Sequence, residues 1–129
     1  MKRILIAEDN PVNMELLREI LGAAEYEIIE AENGHQALMK IEEFSPSLVL
    51  LDVNMPGMDG LAVIRILKKD PRFLRLPAIA LTAYAMKDDR DRMIAAGFDS
   101  YVSKPVDALA LAKEIERLTD YTFAQKTAR

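Results

Sequence analysis

The sequence contains no cysteine, and His35 is its only histidine. The lack of cysteine excludes disulfides, thiolate metal sites and thiol catalysis. A single histidine argues against a zinc site, and we assign His35 no role. The chain also has no long apolar run near its start, because "MKRILIAEDN" turns acidic directly after "ILIA". This run is shorter than the core of a signal peptide or a membrane span, so we expect a cytoplasmic protein with no membrane partner.

The chain also has no excess of basic over acidic residues. The 129 residues include 17 basic and 21 acidic side chains, which gives a formal net charge of −4 and an isoelectric point of about 5.1. This balance argues against direct binding of nucleic acid, which needs a basic surface. Half of the residues are hydrophobic, and the length fits one domain with one core.

Short apolar runs alternate with stretches of helical periodicity. The runs, at residues 3–7, 27–31, 48–52, 77–82 and 100–103, predict β-strands. The first, third and fourth are almost continuously apolar, as in strands covered on both faces, and the other two are mixed, as at sheet edges. Helices are predicted at 11–24, 35–44, 59–69, 86–96 and 107–119. This alternation predicts a parallel sheet with helices on both faces.

Local signals support these helices. Residues that favour helix starts precede three of them: Asn10 (followed by Pro11), Asp59 and Asp107. In the first helix the apolar residues predicted to face the core are Val12, Leu16, Leu17, Ile20 and Leu21. The charged run "KDDRDR" (87–92) indicates a solvated helix face. Residues 119–129 lack periodicity, so we predict one domain, 1–118, followed by a C-terminal tail.

Acidic side chains lie at the carboxyl ends of the first and third predicted strands. Ligands of open α/β sheets bind beyond the carboxyl ends of the strands, where Glu8 and Asp9 leave the first strand and Asp52 ends the third. If these strands are neighbours, three carboxylates converge, and two charges ~4 Å apart repel by roughly 4 kcal/mol at an effective dielectric of about 20. Such a cluster needs a cation or raised pKa values, and an all-oxygen site points to Mg²⁺.

A lysine and a hydroxyl leave two further strands at the same edge. Lys104 follows the fifth predicted strand, and Thr82 ends the fourth. Carboxylates, Mg²⁺, a lysine and a hydroxyl in one cleft are the groups needed to handle a phosphoryl group, whose oxygens the metal and the lysine neutralise. We therefore predict that Asp52 is a nucleophile that forms an aspartyl phosphate.

Four segments carry a family resemblance: "ILIAEDN", "LVLLDVNMPGMDG", "ALTAYAMKDD" and "SYVSKPV". In this order and spacing they resemble the CheY-like receiver domain of two-component response regulators. The resemblance implies a flavodoxin-like (βα)5 fold, a three-layer α/β sandwich around a parallel five-stranded sheet of order 2-1-3-4-5. It also implies that a sensor histidine kinase or a histidine phosphotransfer protein phosphorylates Asp52.

The resemblance further implies a metal site with particular ligands. Asp9 and Asp52 would bind Mg²⁺ together with the main-chain carbonyl of Asn54. Glu8 would act on the same ion through water. No other cofactor is implied.

A conformational switch is implied too. Lys104, before a cis bond to Pro105, would hold a phosphoryl oxygen. The phosphoryl group would draw the Thr82 hydroxyl toward itself, and Tyr101 would turn inward to fill the vacated space. The surface formed by the fourth helix, fifth strand and fifth helix would then change, and a downstream protein would bind it.

The segment from residue 82 to residue 106 is similar to stand-alone regulators of the DivK type and to receivers attached to hybrid histidine kinases. Because the sequence begins with Met1 and shows no effector domain, we expect a stand-alone response regulator of a phosphorelay. The alternatives are a receiver excised from a hybrid histidine kinase or larger regulator, and a pseudo-receiver that works without phosphorylation.

Two other classes share parts of this pattern. A phosphatase of the haloacid dehalogenase type needs a second aspartate two residues after the nucleophile as general acid, and Asn54 cannot donate that proton. A flavodoxin-like cofactor binder needs a hydroxyl- or glycine-rich loop after the first strand, whereas "EDNPVN" would repel a phosphate. We therefore expect a signalling domain, which catalyses only its own phosphorylation and slow dephosphorylation. Tyr84, two residues after Thr82, is expected to obstruct the attacking water and prolong the phosphoryl state.

Overall fold

Strands and helices alternate throughout this computed structural model, which describes residues 2–24, 26–83 and 87–127 (87 and 120–127 as backbone only). The strands are β1 (Arg3–Ala7), β2 (Glu27–Ala31), β3 (Leu48–Asp52), β4 (Ala78–Thr82) and β5 (Ser100–Ser103). The helices are α1 (Pro11–Ala23), α2 (Gly34–Phe44), α3 (Gly60–Lys69), α4 (Lys87–Ala96) and α5 (Ala108–Thr127). All ten predicted elements are present. None of the helices in the described ranges is long and apolar enough to cross a membrane.

The strands form one parallel sheet of order β2-β1-β3-β4-β5. Buried residues of α1 and α5 pack on one face of this sheet, and those of α2, α3 and α4 pack on the other. This arrangement confirms the flavodoxin-like three-layer fold. It also sends the carboxyl ends of all five strands to the same edge, which we call the C-edge.

Burial follows the predicted difference between central and outer strands. Every residue of β3 and β4 is buried, because each lies between two strands and under helices on both faces. The outer strands β2 and β5 alternate between buried and more exposed residues. The polar residues at the ends of β3 and β4, Asp52 and Thr82, are buried as well. Their side chains are therefore shielded from solvent at the C-edge.

The predicted helix starts are confirmed by their hydrogen bonds. The Asn10 side chain accepts from the backbone N–H groups of the first turn of α1, and Pro11 is the first helical residue. Asp59 caps α3 in the same way, and Asp107 caps α5. Each cap satisfies N–H groups that have no partner within the helix.

Two sequence-based expectations about the helices are wrong. The buried face of α1 is formed by Met14, Leu17 and Leu21, whereas Val12 is 74% exposed and Leu16 38% exposed. At about 100° per residue, these two lie off the stripe that faces the sheet. In addition, α5 continues to Thr127, past residue 119, because apolar periodicity reports which face is buried and not where backbone hydrogen bonding stops. Whether residues 119–129 form a tail outside the domain stays a prediction.

Candidate functional site

The pairing of β1 with β3 brings the acidic residues together. Ala7 pairs with Leu51, so the residues that follow, Glu8 and Asp52, stand side by side at the C-edge. Carboxylate oxygens of Glu8, Asp9 and Asp52 all lie within 4.8 Å of one another. Glu8 and Asp52 are each only 2% exposed, whereas Asp9 is open to solvent. The cluster therefore has a buried base and an open mouth.

Lys104 reaches into this cluster from the end of β5. Its Nζ lies 2.8 Å from Asp52 Oδ2 and 2.8 Å from Glu8 Oε1. The bond to Asp52 has hydrogen-bond geometry, but the contact with Glu8 Oε1 does not, and that oxygen has no hydrogen bond within the described part of the chain. The backbone N–H of Lys104 donates to the carbonyl of Thr82 at 2.8 Å, and the following bond to Pro105 is cis, as the resemblance implied.

The pKa values of the site reflect burial and close charges. Burial first and then the neighbouring Asp52 raise the pKa of Glu8 to about 7, although Lys104 acts in the opposite direction. Burial on its own would lower the pKa of Lys104, but its close contacts and charge interactions with Asp52 and Glu8 outweigh this, and its pKa is raised. Lys104 therefore stays positively charged, although one lysine does not neutralise three adjacent carboxyl groups.

The donor atoms of the cluster fit a hard divalent cation. All of them are oxygens, and Asp9 presents its carboxylate at the open mouth of the site. Glu8 Oε1 is a buried acceptor without a hydrogen bond among the described residues, which is consistent with a site completed by a cation or by water bound to it. The residues that could hold Mg²⁺ are Asp9 and Asp52 directly, with Glu8 behind them.

The loop after β3 is held close to Asp52. The backbone N–H of Asn54 donates to Asp52 Oδ1 at 2.9 Å, so one carboxylate oxygen faces this loop and the other faces Lys104. Asn54 itself is exposed, and its carbonyl belongs to the same loop. Met55, the next residue of this loop, is only 6% exposed and packs in the core.

A glycine allows α3 to begin directly against the backbone of Asp52. A Cβ atom added at Gly60 would lie 2.5 Å from the Asp52 carbonyl oxygen and 2.9 Å from its carbonyl carbon. These are backbone atoms of a buried strand, so they cannot move aside easily. Sequence reasoning did not identify Gly60, although its place in "MPGMDG" at the end of a buried strand was the available signal.

We expect Gly60→Ala to lower the free energy of unfolding by about 1–3 kcal/mol, because the added methyl group overpacks the α3–β3 contact. Urea unfolding measures this change. Gly22→Ala is the matched control, since a Cβ atom at Gly22 meets nothing within 4 Å and alanine favours helix by up to about 1 kcal/mol over glycine. Equal effects of the two substitutions would contradict the steric explanation.

Thr82 and Tyr101 lie on the same face of neighbouring strands. Tyr101 pairs with Ala80, and residues 80 and 82 project to the same side of β4 because side chains alternate along a strand. Thr82 is 2% exposed, and Tyr101 is half-buried against the core on the α4 side of the sheet. The structure thus brings together the two residues expected to form a switch. Tyr84, predicted to control the phosphoryl lifetime, lies outside the described residues.

Arg90 is a contact of this region that sequence reasoning missed. Its Nη1 donates to the Tyr101 hydroxyl at 3.0 Å, and its guanidinium carbon lies 5.8 Å from the centre of the Tyr101 ring. Arg90 is part of the charged run 87–92, which we assigned to a solvated face of α4. Nothing in a sequence marks one arginine of such a run as the partner of a tyrosine on another element.

Comparison with known proteins places the chain among response regulator receivers. The family model of the response regulator receiver domain matches residues 4–116. The polar-differentiation response regulator DivK of Brucella anthropi is 39% identical over 120 residues, which are 93% of this chain and 95% of that protein.

Solved structures agree with the sequence matches. The receiver domain of a signal transduction histidine kinase from Syntrophus aciditrophicus is 35% identical with a TM-score of 0.86, and the match covers 93% of this chain and 91% of that one. The receiver domain of a sensor histidine kinase from Pseudomonas aeruginosa is 31% identical with a TM-score of 0.85, over 92% of this chain and 98% of that one. The latter structure has a magnesium ion coordinated in its active-site cleft.

Proposed function

The chain belongs to the response regulator receiver family, and we propose that it accepts a phosphoryl group on Asp52 in a Mg²⁺-dependent reaction. The observation that carries this proposal is the position of Lys104. Its Nζ is 2.8 Å from Asp52 Oδ2, directly beside three carboxylates whose oxygens lie within 4.8 Å of one another. A nucleophile, a fixed cation and a place for a divalent cation thus share one small site.

The proposed reaction is a transfer between a phosphohistidine of the donor and Asp52. A carboxylate oxygen of Asp52 attacks phosphorus, the bond from phosphorus to the donor nitrogen breaks, and the nitrogen keeps the electron pair. Lys104 neutralises charge on the phosphoryl oxygens, and the Thr82 hydroxyl lies at the adjacent strand end to donate a hydrogen bond. Mg²⁺ held by Asp9, Asp52 and the carbonyl of Asn54 would supply further positive charge to the same oxygens.

The test is to incubate the purified chain with acetyl phosphate and Mg²⁺ and to record its intact mass. One added phosphoryl group in the presence of Mg²⁺, and none when a chelator removes the metal, is the expected result. If acetyl phosphate fails as a donor, binding of beryllofluoride with Mg²⁺ distinguishes a receiver that needs its own kinase from a pseudo-receiver. Failure of both would contradict the proposal.

We further propose that phosphorylation is read out as a protein–protein signal. In the proposed switch, the Thr82 hydroxyl moves toward the phosphoryl group and Tyr101 turns inward, which changes the α4–β5–α5 surface for a downstream protein. The sequence-based predictions of a stand-alone regulator and of a cytoplasmic location belong to this proposal.

The phosphodonor is proposed to dock beside the mouth of the site. Val12, in the first turn of α1, is 74% exposed, and Leu109, in the first turn of α5, is 65% exposed. Both helices start at the C-edge on the same face of the sheet, just after Asp9 and Pro105 respectively. Exposed apolar side chains at the sheet edge that carries a reactive carboxylate suit a histidine kinase or phosphotransfer protein that must bring its phosphohistidine to Asp52.

The double substitution Val12→Ser/Leu109→Ser is expected to slow phosphotransfer from a phosphorylated histidine kinase about tenfold, because it removes apolar contact area from the docking surface. Uptake from acetyl phosphate is expected to stay unchanged, since a small donor does not use that surface. Met39→Ser, at a 70% exposed residue of α2, is the matched control. An equal loss with both donors would mean that the substitutions disturb the site itself.

A further inference from the structure

Arg90 and Tyr101 join α4 to β5 through two contacts. The Arg90 guanidinium donates a hydrogen bond of 3.0 Å to the Tyr101 hydroxyl, and it also lies over the ring, 5.8 Å from its centre. Arg90 is exposed and Tyr101 is half-buried. The hydroxyl of Tyr101 is therefore held at the surface of α4, while its ring lies against the core.

We infer that Arg90 is a positioning residue that holds Tyr101 in its resting orientation and thereby sets how readily the Thr82/Tyr101 switch turns. This inference rests on the proposed function. If Tyr101 rotates inward toward the space beside Thr82, its hydroxyl leaves the Arg90 guanidinium, and the ring leaves the position under the cation. Both contacts then exist in the resting state only, so they bias the equilibrium toward that state.

The size of the bias suits a switch. A cation–π contact and a hydrogen bond at an exposed site are each weak, so their loss changes a two-state equilibrium by a small factor and does not lock either state. Contacts of this strength lower the apparent affinity of any ligand that selects the inward state, without preventing the transition. We expect a factor of about three to five for this pair.

The same two contacts connect the Thr82/Tyr101 switch to the α4–β5–α5 surface. In α4, Met93 is buried in the core at 3% exposure, whereas the next residue, Ile94, is 50% exposed. When Tyr101 turns inward, α4 loses the Arg90 contact with β5. The guanidinium is then released at the α4–β5–α5 surface, where it becomes available to an acidic group of a downstream protein.

Incorporation of 3-fluorotyrosine allows a direct test by fluorine NMR of the full chain. The sequence contains four tyrosines, and Tyr101→Phe assigns the resonance of Tyr101. Beryllofluoride with Mg²⁺ is titrated into the wild type, Arg90→Met and Arg92→Met. Arg92 is the matched control, because it is an exposed arginine of the same helix and makes no hydrogen bond to Tyr101 in the described residues.

In Arg90→Met, the Tyr101 resonance is expected to lie closer to its beryllofluoride-bound position before titration, and the apparent affinity for beryllofluoride is expected to rise about three- to fivefold. Arg92→Met is expected to behave like the wild type. Equal affinities of Arg90→Met and Arg92→Met, with a responding Tyr101 resonance in the wild type, would overturn the role of Arg90 and leave the switch intact. A wild-type resonance that does not respond to bound beryllofluoride would overturn the switch, and the role of Arg90 with it.

Discussion

Asp52→Asn is expected to abolish phosphoryl uptake from acetyl phosphate in the presence of Mg²⁺. The substitution nearly preserves shape, so the buried end of β3 keeps its packing. It replaces the carboxylate that we propose as nucleophile by an amide, which is a very poor nucleophile, and it removes the negative charge that faces Lys104 Nζ at 2.8 Å. Intact mass is the measurement, and no added phosphoryl group should be detectable.

Asp91→Asn provides the matched control for this result. Asp91 is an exposed residue of α4 and does not belong to the acidic cluster, so the same change of charge and shape is made outside the site, and uptake should remain complete. Thermal unfolding followed by circular dichroism shows whether Asp52→Asn is folded. Full uptake by a folded Asp52→Asn protein would mean that another acid accepts the phosphoryl group.

Lys104→Met is expected to change phosphoryl uptake and Mg²⁺ binding in opposite directions. Loss of the ammonium group removes a fixed positive charge from the phosphoryl oxygens, which lowers the rate of uptake by about a hundredfold. The same loss leaves Glu8 and Asp52 without their cation. Because a unit charge about 4 Å away is worth roughly 1 kcal/mol even in water, the affinity for Mg²⁺ should rise at least about fivefold.

The two effects are measured separately, uptake by mass spectrometry over time and Mg²⁺ affinity by calorimetric titration. Lys113→Met, at an exposed lysine of α5 that makes no ion pair with Glu8 or Asp52 in the described residues, removes the same charge outside the site and should alter neither quantity. A fall in Mg²⁺ affinity in Lys104→Met would show that the lysine positions the metal ligands more than it competes with the metal, and our view of the site's charge balance would then be wrong.

Much of the architecture was readable from the sequence because strands and helices bury their surfaces with different periods. The continuous apolar runs of β3 and β4 predicted strands covered on both faces, and both are fully buried. Asn10 before Pro11 predicted the start of α1, since an N-cap and a first-turn proline act over a few residues. The order of the strands, in contrast, came from the family resemblance, because alternation alone does not fix which strands are neighbours.

The site was predictable to the extent that it depends on strand ends. The acids after β1 and at the end of β3 and the lysine after β5 must meet at the C-edge of a parallel sheet if their strands are close, and the structure places them there. Their roles remain proposals. The sequence did not reveal how deeply each one lies, and depth decides their chemistry: Glu8 is 2% exposed, and burial raises its pKa to about 7, while its neighbour Asp9 faces solvent.

The sequence by itself therefore determined the elements, their caps and the residues at the strand ends, because these depend on interactions between residues close together in the chain. Tertiary structure alone decided which side of α1 is exposed at Val12, how closely α3 approaches Asp52 at Gly60, and which arginine of α4 meets Tyr101. These features depend on distances of a few ångströms between elements far apart in the chain. Such distances follow from the packing of the whole sheet and its helices, which no local pattern encodes.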